Sequence, residues 1–551
     1  MRQVPILTVR NLVVETIPHD GAADVGRILH GVSLDVAAGE VLGVIGESGS
    51  GKSTMALAAL GYTRPGLRIT GGSIQFLGRE VIGLPADDRR RIRGAEVAYV
   101  AQSAAAAFNP SLTINRQVIE ASLVHSKFTK RLAKSRALED YRRLGLPNPL
   151  SIGQYYPHQV SGGQLQRLAA AMAFSAGPRL IVFDEPTTAL DVTTQIGVLH
   201  AFRDELREHN AAALYVTHDL AVVSQIADRV LVMEKGQIIE RNDTERILNT
   251  PTHPVTRALI AAAQPVSAGS LIVPKKKSVS TTEPVLALNA INAAYGPNTP
   301  AVLRNIHLRV DPGEIIAIVG ESGSGKSSLA RVAAGLLSPS SGEVRRNGNL
   351  MAGKLRERTM DDLRRVQIVF QSADTALNPR QRVRDILARP LDFYRRCNAT
   401  QRHDRIAKLL ELVSLPASFA SRFPSELSGG QKQRLNLARA LAADPDLVLC
   451  DEVTSALDVV VRQEIVALLR RLRETLGTAF VFITHDLSTA GALADRVVVM
   501  RGGVIVEEGP TARILNSPSH SYTRLLLASV PIARKGWLDE AIAAADAAGV
   551  I

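Results

Sequence analysis

Short apolar runs recur along the chain, and each one ends at a glycine-rich or acidic segment. The runs at 41–45, 180–183 and 213–217 are typical of strands that are buried on both faces of a parallel sheet. Residues 52–60, which follow the first run and its glycine-rich turn, are predicted to be helical. Strands that alternate with helices predict a largely parallel α/β core.

The whole pattern occurs twice. The segment at 244–253 returns as 511–520 with most of its residues unchanged, and the residue numbers of the two copies differ by 267. The second copy repeats the apolar runs at 315–319, 447–450 and 480–484 and the helix at 326–334. A domain of about 260 residues written twice explains this long spacing, whereas a solenoid of short repeats does not. The predicted domains are 1–264 and 284–551, joined by a linker at 265–283.

Composition agrees with a multidomain globular protein. The chain has 551 residues, of which 46% are hydrophobic, and contains no uncharged apolar stretch of the length that spans a bilayer. The N-terminus lacks the apolar core of a signal peptide. The two cysteines, Cys397 and Cys450, are too few for a disulfide framework, which indicates a reducing compartment. The net charge of +12 fits an acidic partner, a membrane surface, phosphates or simply a solvated basic surface.

The candidate chemistry begins with a glycine-rich loop. Gly46-Glu-Ser-Gly-Ser-Gly-Lys-Ser53 fits the pattern G-x-x-x-x-G-K-[ST], and the same eight residues return at 320–327. Glycines let the backbone N–H groups converge on a phosphate, and the helix N-terminus adds partial positive charge. Lys52 and Lys326 are predicted to hold the β- and γ-phosphates, and Ser53 and Ser327 to hold Mg²⁺.

Acidic and histidine residues follow the later strands. Asp184 directly follows an apolar run and is predicted to bind Mg²⁺, while Glu185 is placed to polarise a water for attack on the γ-phosphate. His218 ends the next strand and is predicted to contact the γ-phosphate and orient that water. The repeats of these residues are predicted to act in the same way: Asp451, Glu452 and His485.

A second glycine-rich turn lies at the predicted N-terminus of a later helix. Ser161-Gly162-Gly163-Gln164 and its copy at 428–431 offer a hydroxyl and exposed N–H groups that suit an anion. Taken alone, the turn would be interpreted as a simple helix cap.

Taken together, these motifs resemble those of ABC ATPase domains, in the same order. The set also includes Gln102 and Gln371 and the Ala-Leu-Asp segments at 189–191 and 456–458. The resemblance extends to the peptide/nickel import subfamily, whose markers here lie at 108–110, 156–164 and 251–256 and their repeats. It implies an α/β fold of two tandem P-loop domains, each with a RecA-like core, an antiparallel β subdomain and a helical subdomain.

The resemblance implies that ATP is bound between the phosphate loop of one half and the Ser-Gly-Gly-Gln turn of the other. Glu185, His218, Glu452 and His485 would be catalytic, and Ser53, Gln102, Asp184, Ser327, Gln371 and Asp451 would hold Mg²⁺. The implied nucleotide contacts are Gly46, Ser48, Gly49, Ser50, Gly51, Lys52, Ser53, Thr54, Gln102, Ser161, Gly162, Gly163, Gln164, Tyr295, Gly320, Ser322, Gly323, Ser324, Gly325, Lys326, Ser327, Ser328, Gln371, Ser428, Gly429, Gly430 and Gln431.

The two halves depart from the family pattern in different ways. Tyr295 occupies the position from which the family stacks an aromatic ring on adenine, whereas the first half has Thr16 there. Loss of a stacking partner would weaken adenine binding by about 1–3 kcal/mol. Many peptide-importer ATPases carry a cysteine cluster for an iron–sulfur centre after the Pro-x-His segment (251–253 and 518–520 here), but this chain has no cysteine there, so no cluster is expected.

The predicted function is the ATP-hydrolysing subunit of a bacterial importer of dipeptides or oligopeptides. It would lie on the cytoplasmic face of the inner membrane, bind two permease subunits and depend indirectly on a solute-binding protein. Nickel, glutathione or another peptide-like solute are alternative cargoes. A twin-ABC factor acting on the ribosome or DNA is the alternative of another class, although the short linker with Pro265 and Pro274 cannot form the long helix typical of such ribosomal factors.

Overall fold

The structure is a computed structural model that describes residues 5–17, 26–187, 190–263, 283–296, 298–395, 397–455 and 457–547. The predicted linker, apart from residue 283, lies outside these ranges, as do Ala189 and Ala456. Backbone contacts divide the chain into two units, which are described separately. Unit 1 comprises Met1–Gln264, Asp458–Val460 and Pro531–Ile551, and unit 2 comprises Pro265–Leu457 and Val461–Val530.

Unit 1 alternates strands and helices along its main segment. Its strands are β1 (Pro5–Thr16), β2 (Arg27–Ala37), β3 (Val41–Gly46), β4 (Leu67–Phe76), β5 (Arg79–Glu80), β6 (Val97–Val100), β7 (Leu180–Asp184), β8 (Ala212–Val216), β9 (Arg229–Glu234) and β10 (Gln237–Asp243). Its helices are α1 (Lys52–Ala59), α2 (Ala86–Ile92), α3 (Ala104–Ala107), α4 (Ile114–Val118), α5 (Glu120–Val124), α6 (Lys130–Arg143), α7 (Pro149–Ile152), α8 (Gly162–Phe174), α9 (Val192–Glu208), α10 (Leu220–Val223), α11 (Thr244–Asn249) and α12 (Pro254–Ala263).

Unit 2 follows the same order. Its strands are β11 (Leu286–Ala293), β12 (Leu303–Val310), β13 (Ile315–Val319), β14 (Ser341–Arg346), β15 (Asn349–Met351), β16 (Val366–Val369), β17 (Leu447–Asp451), β18 (Ala479–Ile483), β19 (Arg496–Arg501) and β20 (Val504–Pro510). Its helices are α13 (Lys326–Ala333), α14 (Met360–Arg365), α15 (Ala373–Ala376), α16 (Val383–Arg395), α17 (Ala399–Leu412), α18 (Gly429–Leu441), α19 (Val459–Leu476), α20 (Leu487–Leu493), α21 (Thr511–Asn516) and α22 (Ser521–Ala528).

Each unit contains two sheets within the described ranges. In unit 1, the antiparallel sheet has the order β2-β1-β4-β5, and the larger sheet has the order β10-β9-β3-β8-β7-β6. The larger sheet is parallel except for β10, which pairs antiparallel with β9. Unit 2 repeats both orders with its own strands. This confirms the predicted α/β class with an antiparallel β subdomain.

The predicted central strands form because both of their faces are buried. Every residue of β7 is buried. Its side chains alternate between two clusters, since Ile181 and Phe183 join one cluster while Leu180 and Val182 join the other. This two-sided burial explains why these strands appear as continuous apolar runs, whereas a sheet with one solvated face would alternate polar and apolar residues.

A buried glutamate holds the loop before α12. Glu240 accepts hydrogen bonds from the backbone N–H groups of Thr252 (2.8 Å) and His253 (3.0 Å) and from the Thr252 hydroxyl (2.9 Å). In unit 2, Glu507 binds Ser519 and His520 in the same way. The subfamily marker at 251–256 and its repeat in the second half therefore each contain residues bound by a buried glutamate, an arrangement that we call the glutamate clamp.

The C-terminal segment belongs to unit 1, although the sequence predicts that the second domain continues to residue 551. It contains α23 (Trp537–Ala547), and Trp537 and Leu538 are buried in the same cluster as α9. The Gln225 side chain donates to the carbonyl oxygens of Ile532 and Arg534, both at 3.0 Å. Apolar burial therefore decides the placement of this segment, and chain order does not.

No helix in the described ranges combines the length and hydropathy that crossing a bilayer requires.

Candidate active site

The larger sheet of unit 1 gathers the predicted site residues at one edge. Strands β6, β7, β8 and β3 are adjacent and parallel, so their carboxyl ends meet at the same edge. These ends carry Gln102, Asp184-Glu185, His218 and the phosphate loop, respectively. The carboxyl edge of a parallel sheet is where α/β proteins bind their ligands.

The first residue of the phosphate loop must be a glycine. Gly46 has a φ of 154°, and a Cβ at this position would lie 2.2 Å from the carbonyl oxygen of Met233. Gly320 repeats this geometry against Met500, with a φ of 153° and the same 2.2 Å distance. The glycine thus lets the loop turn directly off the strand, so that the following N–H groups can face a phosphate.

The loop lysines are held inside their own loops. Lys52 Nζ donates to the carbonyl oxygens of Gly46 (2.8 Å) and Glu47 (2.7 Å), and Lys326 makes the same pair of bonds. Burial lowers the pKa of Lys52, and the nearby Glu185 carboxylate opposes this shift. A buried ammonium that donates to two backbone carbonyl oxygens is suited to bind an incoming phosphate, because charged phosphate oxygens make stronger hydrogen bonds than neutral carbonyl oxygens do.

The loop serines reach the aspartates at the ends of the neighbouring strands. Ser53 Oγ donates to Asp184 Oδ1 at 2.8 Å, and Ser327 Oγ donates to Asp451 Oδ1 at 2.8 Å. Burial raises the pKa of Asp451, against the opposing effect of the Ser327 hydrogen bond. Hydroxyl and carboxylate oxygens are the ligands that Mg²⁺ prefers, so these pairs fit a magnesium ion.

Each predicted general base lies between a glutamine and a histidine. Gln102 Nε2 donates to Glu185 Oε2 at 2.9 Å, and His218 Nδ1 lies 3.3 Å from Glu185 Oε1. The glutamate has a φ of 49°, a left-handed backbone conformation that is unusual for this residue type. A strained backbone at a strand end is typical of residues that must point at a ligand.

Unit 2 has the same arrangement with small differences. Glu452 also has a φ of 49°, and Gln371 Nε2 lies 3.0 Å from Glu452 Oε2. Gln371 also donates to Ser455 Oγ at 3.3 Å, and His485 Nδ1 is 3.9 Å from Glu452 Oε1. The histidine therefore lies farther from the glutamate in unit 2 than in unit 1.

Tyr99 is a site residue that the sequence reasoning missed. Its hydroxyl donates to Asp184 Oδ2 at 2.8 Å, and burial, followed by the charge of Asp184, raises the pKa of Tyr99. The corresponding residue of β16 is Ile368, which has no donor. The only available signal was a polar aromatic residue in an apolar strand three positions before Gln102.

The Ser-Gly-Gly-Gln turns cap their helices. The Ser161 hydroxyl accepts from the Gln164 N–H, and the Gln164 side chain accepts from the Ser161 N–H. Among the described hydrogen bonds of unit 1, none links these two residues to the phosphate loop. A Cβ on Gly162 would meet open space, whereas one on Gly163 would lie 2.5 Å from Thr194 Cγ2.

The predicted adenine-stacking residue lies beside the helix that follows the loop. Tyr295 is 55% exposed, and its hydroxyl is 3.0 Å from Ser328 Oγ and accepts from Arg331 at 2.9 Å. At the matching place in unit 1, the Thr16 hydroxyl accepts a hydrogen bond from the Gly26 N–H. Among the residues that the structure describes here, an exposed ring next to the loop helix is therefore found in unit 2 and not in unit 1.

Comparison with known proteins identifies the family. A model of the ABC transporter family matches residues 29–188 and 303–455, and a model of the oligopeptide/dipeptide transporter C-terminal region matches residues 506–548. This chain belongs to the ABC transporter family. It falls in the peptide/nickel import subfamily, as the motifs predicted, and is a subunit that binds and hydrolyses ATP.

Relatives match nearly the whole chain. The glutathione import ATP-binding protein GsiA of Escherichia coli (strain K12) is 36% identical and aligns over 94% of this chain and 92% of its own length. The protein of the same name from Salmonella typhimurium is 37% identical over 91% of this chain and 86% of its own length. The solved structure of cbiO1 from Clostridium perfringens is 26% identical, has a TM-score of 0.40, and covers 43% of this chain and 92% of its own.

Proposed function

We propose that this chain drives the uptake of a peptide-class solute, with hydrolysis of ATP at two sites. The observation that carries the proposal is the clustering of lysine, serine, aspartate, glutamate, glutamine and histidine at the carboxyl edge of each large sheet. The match of the C-terminal region to oligopeptide/dipeptide transporters and the glutathione import relatives support the class of solute. Dipeptides, oligopeptides and glutathione share a peptide backbone, which makes them one chemical class.

The proposed site residues divide the work of hydrolysis. Lys52 binds the β- and γ-phosphates after exchanging its carbonyl partners for phosphate oxygens. Glu185 accepts a proton from the attacking water, while His218 and Gln102, which already contact this glutamate, hold water and γ-phosphate in line. In unit 2, Lys326, Glu452, His485 and Gln371 take the same roles.

Mg²⁺ is the proposed cofactor. The ion would be held in unit 1 by Ser53 and Asp184. In unit 2 it would be held by Ser327 and Asp451. In each pair the two oxygen atoms lie 2.8 Å apart. When bound, the ion neutralises charge on the β- and γ-phosphates. Gln102 and Gln371 are further proposed ligands.

The proposed sites are composite, a proposal that rests on the family resemblance. Ser428, Gly429 and Gly430 would complete the site of the first half, and Ser161, Gly162 and Gly163 would complete the site of the second. The open space beside Gly162 and Gly429 in their own units leaves room for a phosphate there.

The importer subfamily implies membrane permease partners. We infer that these are two permease subunits and that a separate solute-binding protein delivers the cargo. The chain would lie on the cytoplasmic face of the inner membrane, where the family docks its ATPases.

ATPase activity in lipid tests the proposal. We would measure hydrolysis by the purified chain alone, with its permease subunits in nanodiscs, and with solute-loaded binding protein. Activity should depend on the permease and rise further with binding protein loaded with dipeptide or glutathione. Stimulation by ribosomes or DNA, with no response to the permease, would refute the importer function and support the alternative class.

Substitution of the two glutamates tests the catalytic roles. Glu185→Gln and Glu452→Gln remove the general base while keeping the size of the side chain, so each should slow hydrolysis at its own site by about 10²–10⁴-fold. ATP binding, followed with a fluorescent analogue, should be retained in both variants. Normal turnover in the double variant would contradict the assignment.

A further inference from the structure

Elements α6 and α9 of unit 1 bring together three side chains of types that can bind a metal, and none of the three belongs to the phosphate loop. Asp140 lies on α6, Glu205 lies on α9, and His209 directly follows α9. Each offers a ligand atom, and these atoms all lie within 4.8 Å of one another. Asp140 is 4% exposed and Glu205 is fully buried. Neither the sequence motifs nor the ATPase chemistry uses these residues.

The buried glutamate is poorly compensated. Neither carboxylate oxygen of Glu205 accepts a hydrogen bond from the described residues, nor does His209 Nε2 take part in one. The His209 Nε2 atom lies 3.1 Å from Glu205 Oε2, and its ring stacks on Phe174 with centroids 5.4 Å apart. Burying a carboxylate without hydrogen bonds is costly, so a bound cation would offset a large part of this cost.

Unit 2 shows that the fold does not need these polar groups. The turn after α6 has Gly145 at a φ of 59°, and the turn after α17 has Ser414 at 56°. The turns after α9 and α19 match in the same way at Asn210 (44°) and Gly477 (68°). When the two halves are aligned at these turns, the positions of Asp140, Glu205 and His209 are occupied by leucines in unit 2. These residues are Leu409, Leu472 and Leu476.

The charged groups around Asp140 act on it in opposite directions. Burial and then the Glu205 charge raise the pKa of Asp140 to about 7, although His209, Arg136 and Arg143 act in the opposite direction. Arg143 forms ion pairs with Glu139 (2.8 Å) and Glu208 (3.1 Å) at the surface. A proton shared between the carboxyl groups is the simplest alternative occupant of the cluster.

We propose that Asp140, Glu205 and His209 bind a divalent transition-metal ion, with Zn²⁺ as the best match. One imidazole nitrogen and two carboxylate oxygens are a ligand set that zinc accepts, and carboxylates alone would favour magnesium or calcium instead. Ligand bonds of about 2.0–2.2 Å require the three side chains to close slightly around the ion. The ion would tie α6, which precedes the Ser-Gly-Gly-Gln turn, to α9, which follows the catalytic glutamate.

Metal analysis of the full chain tests this proposal. The chain would be stripped with a chelator, dialysed and titrated with Zn²⁺ by calorimetry, and then with Co²⁺, whose visible absorption reports coordination geometry. We expect one tightly bound equivalent of Zn²⁺ that Glu205→Gln and His209→Gln each weaken. The loss should be at least as large as the 10–100-fold typical of altering a residue behind the ligands.

The chain provides two matched controls. His200 and Asp204 are also four residues apart on α9, with atoms 3.2 Å apart, but are more exposed. His200→Gln should therefore leave the zinc affinity unchanged. The triple variant Asp140→Leu, Glu205→Leu and His209→Leu reproduces the leucines of unit 2 and should remain folded while losing the bound equivalent.

The outcome is decided by the difference between the wild type and the triple variant. Equal zinc stoichiometry and affinity in the two would overturn the proposal, because the bound metal would then lie elsewhere. The absence of tight binding in a folded wild type would overturn it as well and would favour a shared proton. Thermal melting with and without Zn²⁺ gives an independent readout, since only the wild type should gain stability from the ion.

Discussion

At the scale of single residues, the two halves differ around the aspartates that we propose as Mg²⁺ ligands, Asp184 and Asp451. Asp184 accepts hydrogen bonds from both Ser53 and Tyr99, each at 2.8 Å. Asp451 accepts the equivalent bond from Ser327. Because Ile368 replaces the tyrosine in unit 2, the orientation of the aspartate depends on an extra contact in unit 1 alone.

Tyr99→Phe should therefore impair one site selectively. Loss of a residue that orients a metal ligand typically costs 10–100-fold in metal affinity, so we expect about a tenfold higher Mg²⁺ requirement at the first site. The measurement is Mg²⁺-dependent hydrolysis in a Glu452→Gln background, where the first site supplies the turnover. Ile368→Val in a Glu185→Gln background is the control and should leave the Mg²⁺ requirement of the second site unchanged.

At the scale of elements, the two glycines at the start of α8 serve different purposes. Gly163 packs so closely that a Cβ would lie 2.5 Å from Thr194, whereas Gly162 faces open space. Gly430 and Gly429 repeat the distinction in unit 2, where a Cβ on Gly430 would lie 2.5 Å from Val461 Cγ1. The second glycine of each turn is thus required by helix packing, whereas the first has open space beside it, where we propose that a phosphate binds.

Alanine substitution separates these two purposes. Gly163→Ala should destabilise the chain by about 1–3 kcal/mol through overpacking. Gly162→Ala should have the same melting temperature as the wild type. It should instead lower the rate of ATP hydrolysis, if the Gly162 N–H faces a phosphate as proposed. Calorimetric melting and ATPase rates of the two variants check this, and equal melting temperatures would show that the packing argument is wrong.

The glutamate clamp before α12 predicts a pH dependence. Burial opposes the charge of Glu240, but hydrogen bonds from Thr252 and His253 outweigh it and lower its pKa from 4.5 to about 2. The ionised form is therefore favoured in the folded state. Its contribution to stability is fully present well above pH 4.5 and declines as the pH falls toward 2.

Glu240→Gln tests the clamp. At pH 7 the variant should lose about 2 kcal/mol, since hydrogen bonds to a charged acceptor become bonds to a neutral one. The difference from the wild type should shrink between about pH 5 and pH 2, as the wild-type carboxylate is protonated. Urea unfolding at several pH values measures this. Glu245→Gln, at an exposed position on α11, is the control and should show little difference at any pH.

At the scale of the whole molecule, the C-terminal segment packs on unit 1, although it follows unit 2 along the chain. Arg203 on α9 pairs with Asp539 at 2.7 Å, and Gln225 accepts from the Leu538 N–H at 3.1 Å. Trp537, the single tryptophan of the chain, is 3% exposed within the core of unit 1. Its fluorescence therefore reports on unit 1.

Trp537→Ala should destabilise unit 1 by about 3–5 kcal/mol, the usual cost of removing a large buried aromatic side chain. Hydrogen exchange followed by mass spectrometry should show faster exchange in α9. Protection of α17 in unit 2 serves as the internal control and should be unchanged. Faster exchange in α17, with α9 unaffected, would contradict the assignment of the segment to unit 1.

The sequence alone determined the features that depend on residues adjacent along the chain. The phosphate loops, the continuous apolar strands β7 and β17, and the caps of α8 and α18 each follow from a local pattern. Glycine conformation, two-sided burial and side-chain capping act over a few residues, so such features can be predicted from composition and spacing. The repeat supports these local patterns further, because the same motifs occur in the same order in both halves.

Only the tertiary structure decided which distant residues meet. The Tyr99 contact with Asp184 joins residues 85 positions apart, and the cluster of Asp140, Glu205 and His209 needs two helices to pack side by side. The apolar face of α23 could bury against many surfaces, and its sequence does not state which one. Such contacts depend on shape and buried area summed over the whole fold, and a linear pattern does not carry that information.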